Sequence, residues 1–90
     1  MNQTTLPLSA QIHARLTERL QPTELRVTDE SAAHAGHMGA NDSGVGTHMR
    51  VCIASPLFTT LTRVQRHRLV YDALQDFIDQ GLHALAIELI

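Results

Sequence analysis

Histidine is the residue type in this sequence that is best suited to chemistry. The chain of 90 residues contains six histidines, and His34, His37 and His48 fall within a stretch of fifteen. Imidazole is a common ligand of transition metals, and it gains or loses a proton near neutral pH. The histidine content therefore indicates metal chemistry, and His34 and His37 form a His-x-x-His pair whose members could act together or replace one another.

The remaining composition excludes several classes of protein. The only cysteine, Cys52, cannot form an intramolecular disulfide or a zinc ribbon, and a single free thiol favours a reducing compartment, here expected to be the cytoplasm. Neither a run of about 18 apolar residues nor a signal-peptide pattern is present, so we expect no membrane span. No pairing of a nucleophile with a base is visible, so we do not expect an enzyme.

The distribution of charge bears on nucleic-acid binding. The formal net charge is −2 and the chain contains no lysine, whereas proteins that bind phosphates usually carry a basic excess. Arg63, Arg66 and Arg68 nevertheless lie within six residues of one another. A local basic patch is therefore compatible with the sequence, although the chain as a whole is not basic.

Apolar spacing in the first half of the chain predicts one helix and two strands. Isoleucine and leucine recur every four residues between positions 10 and 20, which predicts a helix with Ser9 as its N-cap. Alternating apolar and polar residues predict strands over residues 24–29 and 48–55. Residues 31–47 form a glycine-rich connection that carries two of the histidines, and a connection of this length is usually functional or disordered.

The second half of the chain predicts a helix and then a strand. Thr62 and Gln65 match a capping box, and the helix is expected to run to about residue 80, where Gly81 suits the left-handed position after a helix. The nearly continuous apolar residues 83–90 predict a strand. The core-facing residues of the helix are expected to be Val64, Val70, Tyr71, Leu74, Phe77 and Ile78.

The element order is thus α-β-β-α-β in a single domain over residues 1–90, of which residues 1–8 are expected to be flexible. A strand–helix–strand unit favours parallel pairing of the second and third strands. Parallel strands begin at the same edge of a sheet. We therefore expect His83, which opens the third strand, to lie near His34 and His37.

Four segments of the sequence carry a resemblance to a known family. They are Asp29-Glu30-Ser31 followed by His34, Thr47-His48-Met49-Arg50-Val51, Arg66-His67-Arg68-Leu69-Val70-Tyr71, and His83-Ala84-Leu85. Each segment alone is a weak signal, but all four in this order and at these spacings resemble the BolA family over about residues 12–87. The resemblance implies an α+β fold of the KH-like kind (class II KH), with a three-stranded mixed sheet and helices on one face.

The resemblance also implies a function. Members of the family pair with monothiol glutaredoxins, and the two proteins share a [2Fe–2S] cluster to which the glutaredoxin contributes a cysteine and a bound glutathione. This chain would supply two ligands, His83 and His34, with His37 as the alternative to His34. Imidazole replaces thiolate in some clusters of this type, and it can be protonated, which eases release. Two ligands alone make a poor site, so we expect no cofactor in the isolated protein.

The helical segment of the resemblance suggests a surface for a partner. Arg66, His67 and Arg68 are expected to bind the glutaredoxin or an anion such as the carboxylates of glutathione, although His67 is also explained by packing beside the core. The alternative function is a DNA-binding transcriptional regulator of the BolA type, which would use its KH-like fold. In that case Arg63, Arg66 and Arg68 would contact the nucleic acid.

Overall fold

A computed structural model describes residues 6–31 and 48–90. Its elements are α1 (Leu8–Leu20), β1 (Glu24–Asp29), β2 (His48–Ala54), a 3-10 turn (Pro56–Phe58), α2 (Arg63–Ala73), α3 (Gln75–Asp79) and β3 (Ala84–Leu89). The order α-β-β-α-β is confirmed, with the second helix divided in two. Predictions that fall on residues 1–5 and 32–47, including those for His34 and His37, lie outside the described residues.

The three strands form one mixed sheet in the order β1-β2-β3. β1 pairs antiparallel with β2, and Leu25 faces Ile53 in this register. β2 pairs parallel with β3, and His48 is the register partner of Ala84. The parallel pairing predicted from the strand–helix–strand unit is therefore confirmed, and β2 is the central strand.

The core lies between the helices and one face of the sheet. Met49, Val51 and Ile53 alternate along β2 and are buried, as the period of two in the sequence predicts. Against them pack the buried residues of the helices and turns: Ile12, Leu16, Leu20, Phe58, Val70, Ala73, Leu74, Phe77 and Leu82. Full burial of one such aliphatic side chain contributes about 1.5–3 kcal/mol, so this face of the sheet holds the domain together.

The start of α1 differs from the prediction. The helix begins at Leu8, two residues before the expected start, and its N-cap is Pro7 rather than Ser9. The proline ring fixes the φ of Pro7 at −55°, and the proline carbonyl accepts the N–H of Gln11 at 3.1 Å. Ser9 therefore lies inside the first turn of α1, and its hydroxyl does not cap the helix.

The capping box of α2 is confirmed in both halves. The Thr62 hydroxyl accepts the Gln65 N–H at 3.1 Å, and the Gln65 side-chain oxygen accepts the Thr62 N–H at 2.9 Å. The helix does not continue to residue 80, however, because it breaks at Leu74, where φ is −113° and the N–H bonds to the Tyr71 carbonyl at 3.0 Å. After the break, Gly81 adopts the predicted positive φ of 127°.

The buried residues of the second predicted helix differ in part from the prediction. Val70, Leu74 and Phe77 are buried as predicted and Ile78 is partly buried, but Val64 is 62% exposed and Tyr71 is 39% exposed. Val64 lies in the first turn of α2, which extends beyond the core. The Tyr71 hydroxyl donates instead to the Leu85 carbonyl of β3 at 3.2 Å. The prediction of a core position was therefore wrong for Val64 and Tyr71.

Arg15 joins α1 to α3. Its guanidinium donates to both carboxylate oxygens of Asp76, at 2.6 and 2.9 Å, and to the Ala73 carbonyl at 2.8 Å. It also lies 4.8 Å from the centre of the Phe77 ring. The hydrogen bonds from Arg15 lower the pKa of Asp76.

No helix within the two described ranges is long and apolar enough to cross a membrane.

The lowered pKa predicts a pH-dependent contribution to stability. This contribution is full above the pKa of an unfolded aspartate, near about 4, and is lost as the pH falls through the lower pKa of folded Asp76. The free energy of unfolding of Asp76→Asn should therefore be below that of the wild type at pH 7, and the gap should narrow at acid pH. Urea unfolding at pH 7 and pH 3 measures the gap, with Asp72→Asn on α2 as the matched control. A gap of the same size at both values would contradict the assignment.

Candidate functional site

Two histidines meet at one end of the sheet. His48 is the first residue of β2, and His83 directly precedes β3. Their ring centres are 5.5 Å apart and the ring planes are inclined by 61°. His83 is exposed and His48 is half-buried. The starts of the parallel strands therefore meet as predicted, whereas the predicted neighbours His34 and His37 lie outside the described residues.

The ends of the connection between β1 and β2 are joined at the same edge. The buried hydroxyl of Ser31 accepts the His48 N–H at 3.0 Å, and the Ser31 N–H donates to the Asp29 carboxylate at 2.9 Å. The Glu30 N–H donates to the His48 carbonyl at 2.8 Å. The described chain therefore leaves the sheet at Ser31 and returns at His48, whose ring lies beside that of His83.

Ser31 is a residue that sequence reasoning undervalued. A serine that follows Asp29 and Glu30 indicates only a turn, because serine is common where a strand ends. Its complete burial follows from packing at the sheet edge, for which the sequence offers no separate signal. Only its position directly after β1 could have suggested that its hydroxyl bonds to the start of β2.

The described histidines supply an incomplete metal site by themselves. Within residues 6–31 and 48–90, no three histidine, cysteine or acidic side chains come together in a metal-binding arrangement. His83 offers an exposed imidazole, which fits a ligand that a partner protein must reach. The second predicted ligand, His34 or His37, belongs to the connection that begins and ends at this edge.

The arginines of α2 face different surroundings. Arg66 is half-buried, its Nε donates to the Leu61 carbonyl at 2.9 Å, and it lines a groove together with Ser55 and Thr59. Arg68 is exposed. Because an α-helix turns by about 100° per residue, Arg66 and Arg68 project roughly 200° apart. These two residues therefore do not belong to one continuous basic surface.

A second groove lies between α2 and the end of β3. His67 and Arg63 line it together with Glu88 and Ile90. His67 is half-buried, and its Nδ1 lies 2.9 Å from the Arg63 carbonyl. This bond and the partial burial agree with the packing explanation for His67, and the groove leaves part of its ring at the surface. The role of Arg66, His67 and Arg68 in binding a partner stays a prediction.

Charged side chains cover the sheet face opposite the core. Arg50 on β2 bonds to Glu30 at 2.9 Å and to Glu88 at 3.2 Å. The Cys52 thiol donates to the Glu88 carboxylate at 2.9 Å. This hydrogen bond, together with burial, raises the pKa of Cys52, and the same bond and the charge of Arg50 lower the pKa of Glu88. Cys52 is therefore held as a neutral thiol on the central strand, and the thiol is expected to be a poor nucleophile.

Comparisons with known proteins agree with this fold. The family model "BolA-like protein" matches residues 16–90. An "Uncharacterized protein in cobS 5'region" of a Sinorhizobium species is 42% identical over 92% of this chain and 89% of its own length. The solved BolA domain of SufE1 from Arabidopsis thaliana superimposes with a TM-score of 0.80 at 40% identity, covering 96% of this chain and 93% of that structure. The solution structure of mouse BolA1 gives a TM-score of 0.73 at 36% identity, over 98% and 68% of the two chains.

This α+β chain, with its mixed three-stranded sheet and its helices on one face, belongs to the BolA family. The family assignment and the fold class predicted from the sequence are both confirmed. Several relatives are longer proteins. The chain spans 50% of Protein BOLA1 and 21% of SufE-like protein 1, both of Arabidopsis thaliana.

Proposed function

We propose that this protein is an adaptor that binds a monothiol glutaredoxin and shares a [2Fe–2S] cluster with it, in cluster trafficking or in iron and redox regulation. The observation that supports the proposal most is the position of His83. Its imidazole is exposed at the sheet edge where residues 32–47, with His34 and His37, begin and end. A ligand at an open edge is accessible to a second protein, whereas a ligand in the core is not.

The donor chemistry fits such a cluster. Imidazole can take the place of thiolate on one iron of a [2Fe–2S] centre, and it removes negative charge from the site. The cluster would supply iron and sulfide, or an electron, for exchange between the two proteins. His83 and either His34 or His37 would each give up a proton or a water contact to offer a ring nitrogen.

The partner is expected to complete the ligand set. A [2Fe–2S] cluster takes four protein or cofactor ligands, and this chain would provide two. The glutaredoxin cysteine and its bound glutathione would provide the others. Arg66 and His67 each line a groove, where glutathione carboxylates or acidic residues of the glutaredoxin would meet a guanidinium or an imidazole. In this role the protein binds and presents a cluster in the cytoplasm and catalyses no reaction of its own.

Anaerobic co-purification with a monothiol glutaredoxin and glutathione tests the proposal. We expect a heterodimer with one [2Fe–2S] cluster, whose visible circular dichroism differs from that of the glutaredoxin homodimer. His83→Ala should abolish this spectrum and return it to the homodimer form. The matched control is His13→Ala, which removes an exposed histidine of α1 and should leave the spectrum unchanged.

The loop ligand is identified by the same measurement. His34→Ala and His37→Ala, made separately, should differ, and the variant that loses the heterodimer spectrum marks the ligand. The adaptor proposal would be rejected if the wild-type proteins form no complex. It would also be rejected if His83→Ala leaves the heterodimer spectrum unchanged. The DNA-binding alternative then predicts a salt-dependent mobility shift that is lost when Arg63, Arg66 and Arg68 become alanine.

A further inference from the structure

We propose that His48 and His83 form a binding site for a divalent transition-metal ion, such as Zn²⁺, in the protein without its partner. The site consists of two imidazoles, one on the first residue of β2 and one on the residue that directly precedes β3. Imidazole nitrogen suits zinc, copper, nickel and iron ions. His48 is not one of the ligands in the proposed adaptor function, so this pair constitutes a different site that has one residue in common with it.

The separation of the rings matches a shared ion. A zinc ion lies about 2.0–2.1 Å from each imidazole nitrogen, and the ring centre is about 1 Å further along the same line. At a tetrahedral angle, two such imidazoles have their ring centres roughly 5 Å apart. The observed distance between the ring centres of His48 and His83 is 5.5 Å. The spacing of the two rings is therefore compatible with one shared ion, provided that a ring nitrogen of each histidine turns toward it.

The backbone holds both residues in place. His48 pairs with Ala84 in the parallel ladder, and its N–H and C=O bond to Ser31 and Glu30 on the other side. His83 follows Leu82, which is buried and whose N–H bonds to the Phe77 carbonyl at 3.1 Å. Two ligands on fixed strand ends lose less conformational entropy on binding than two ligands on a loop.

The remaining chemistry of the pair is also compatible with a bound ion. Each imidazole has two nitrogens, so His48 can keep a hydrogen bond through one nitrogen and give the lone pair of the other to a metal. Water, or a ligand from another molecule, would fill the two remaining positions of a tetrahedral ion, one more than in catalytic zinc sites, which have three protein ligands. With only two protein ligands the affinity is expected to be low and the ion readily exchanged, so the purified protein need not retain it.

Titration of the isolated protein with Zn²⁺ tests this site without a glutaredoxin or an iron–sulfur cluster. We expect one Zn²⁺ per chain by calorimetry, and at least tenfold weaker binding in His48→Ala and in His83→Ala. His13→Ala is the matched control and should bind as the wild type does. In the wild type, the imidazole NMR signals of both His48 and His83 should shift together on addition of Zn²⁺, a readout that needs no variant.

Three results would overturn the site: no binding of Zn²⁺ by the wild type, binding by His48→Ala within twofold of the wild type, or imidazole shifts confined to His83. The double variant His34→Ala/His37→Ala separates this pair from a loop site, because it should retain most of the affinity. A result that rejects the zinc site leaves the adaptor proposal intact, since that proposal does not use His48. If both proposals hold, Zn²⁺ at His83 competes with the shared cluster.

Discussion

Leu74→Ala is expected to lower the free energy of unfolding by about 2–5 kcal/mol. The Leu74 side chain has no exposed surface and lies at the junction of α2 and α3, within the core cluster. Truncation removes apolar contacts and leaves a cavity that the surrounding core can close only in part. The total stability of a domain of this size is on the order of 5–10 kcal/mol, so the variant should lose a large fraction of it.

Urea denaturation followed by circular dichroism measures this effect, and thermal unfolding should show a midpoint lower by about 10 °C or more. The matched control is Leu57→Ala in the 3-10 turn, because Leu57 is 45% exposed. Leu57→Ala is expected to lower the free energy of unfolding by less than about 1 kcal/mol, as most surface substitutions do. Equal losses in the two variants would show that the leucine at the junction is not part of the core.

Ser31→Ala is expected to lower the free energy of unfolding by about 1–3 kcal/mol, which is the second large effect that we predict. The serine hydroxyl is completely buried and accepts the His48 N–H at 3.0 Å. Alanine has nearly the same shape but cannot accept this hydrogen bond, so the donor of His48 loses its partner in a partly buried place. Ser31 and the start of β2, which flank the segment that carries His34 and His37, should therefore separate more easily.

Urea unfolding gives the global effect, and amide hydrogen exchange at His48 gives the local one. Exchange of this amide should be faster in Ser31→Ala than in the wild type. Thr59→Ala is the matched control, because the Thr59 hydroxyl bonds to the Pro56 carbonyl at an exposed turn. Its effect on stability should be small, and the His48 amide should exchange at the wild-type rate. An unchanged His48 amide in Ser31→Ala would refute the role of the hydroxyl.

Much of the fold was predictable because its signals are local. The alternation along β2, the capping box of Thr62 and Gln65, and Gly81 after the helix each depend on a few neighbouring residues, and each is confirmed. The parallel pairing of β2 and β3 followed from a general rule of chain connection. That rule also places the starts of β2 and β3, where His48 and His83 lie, at the same edge of the sheet.

The errors occur where tertiary contacts override local preference. The helix breaks at Leu74 without a glycine or proline, and the break rotates the residues after it relative to those before it. Val64 and Tyr71 precede the break, and they are exposed because the buried side of α2 is the one that carries Val70 and Ala73. The burial of Ser31 and the bond from Cys52 to Glu88 depend on strand register, which a list of residue types does not contain.

The bond from Tyr71 to β3 also bears on unwanted association between copies. β3 is an edge strand of the sheet, and the Ile90 N–H points to β2, so the peptide groups of Leu85, Ile87 and Leu89 point outward. An apolar edge strand with open peptide groups invites a strand of another molecule to add to it. The Tyr71 hydroxyl already occupies the Leu85 carbonyl, and the aromatic ring stands beside the strand. An incoming strand would therefore have to displace the Tyr71 hydroxyl before it could pair with this part of β3.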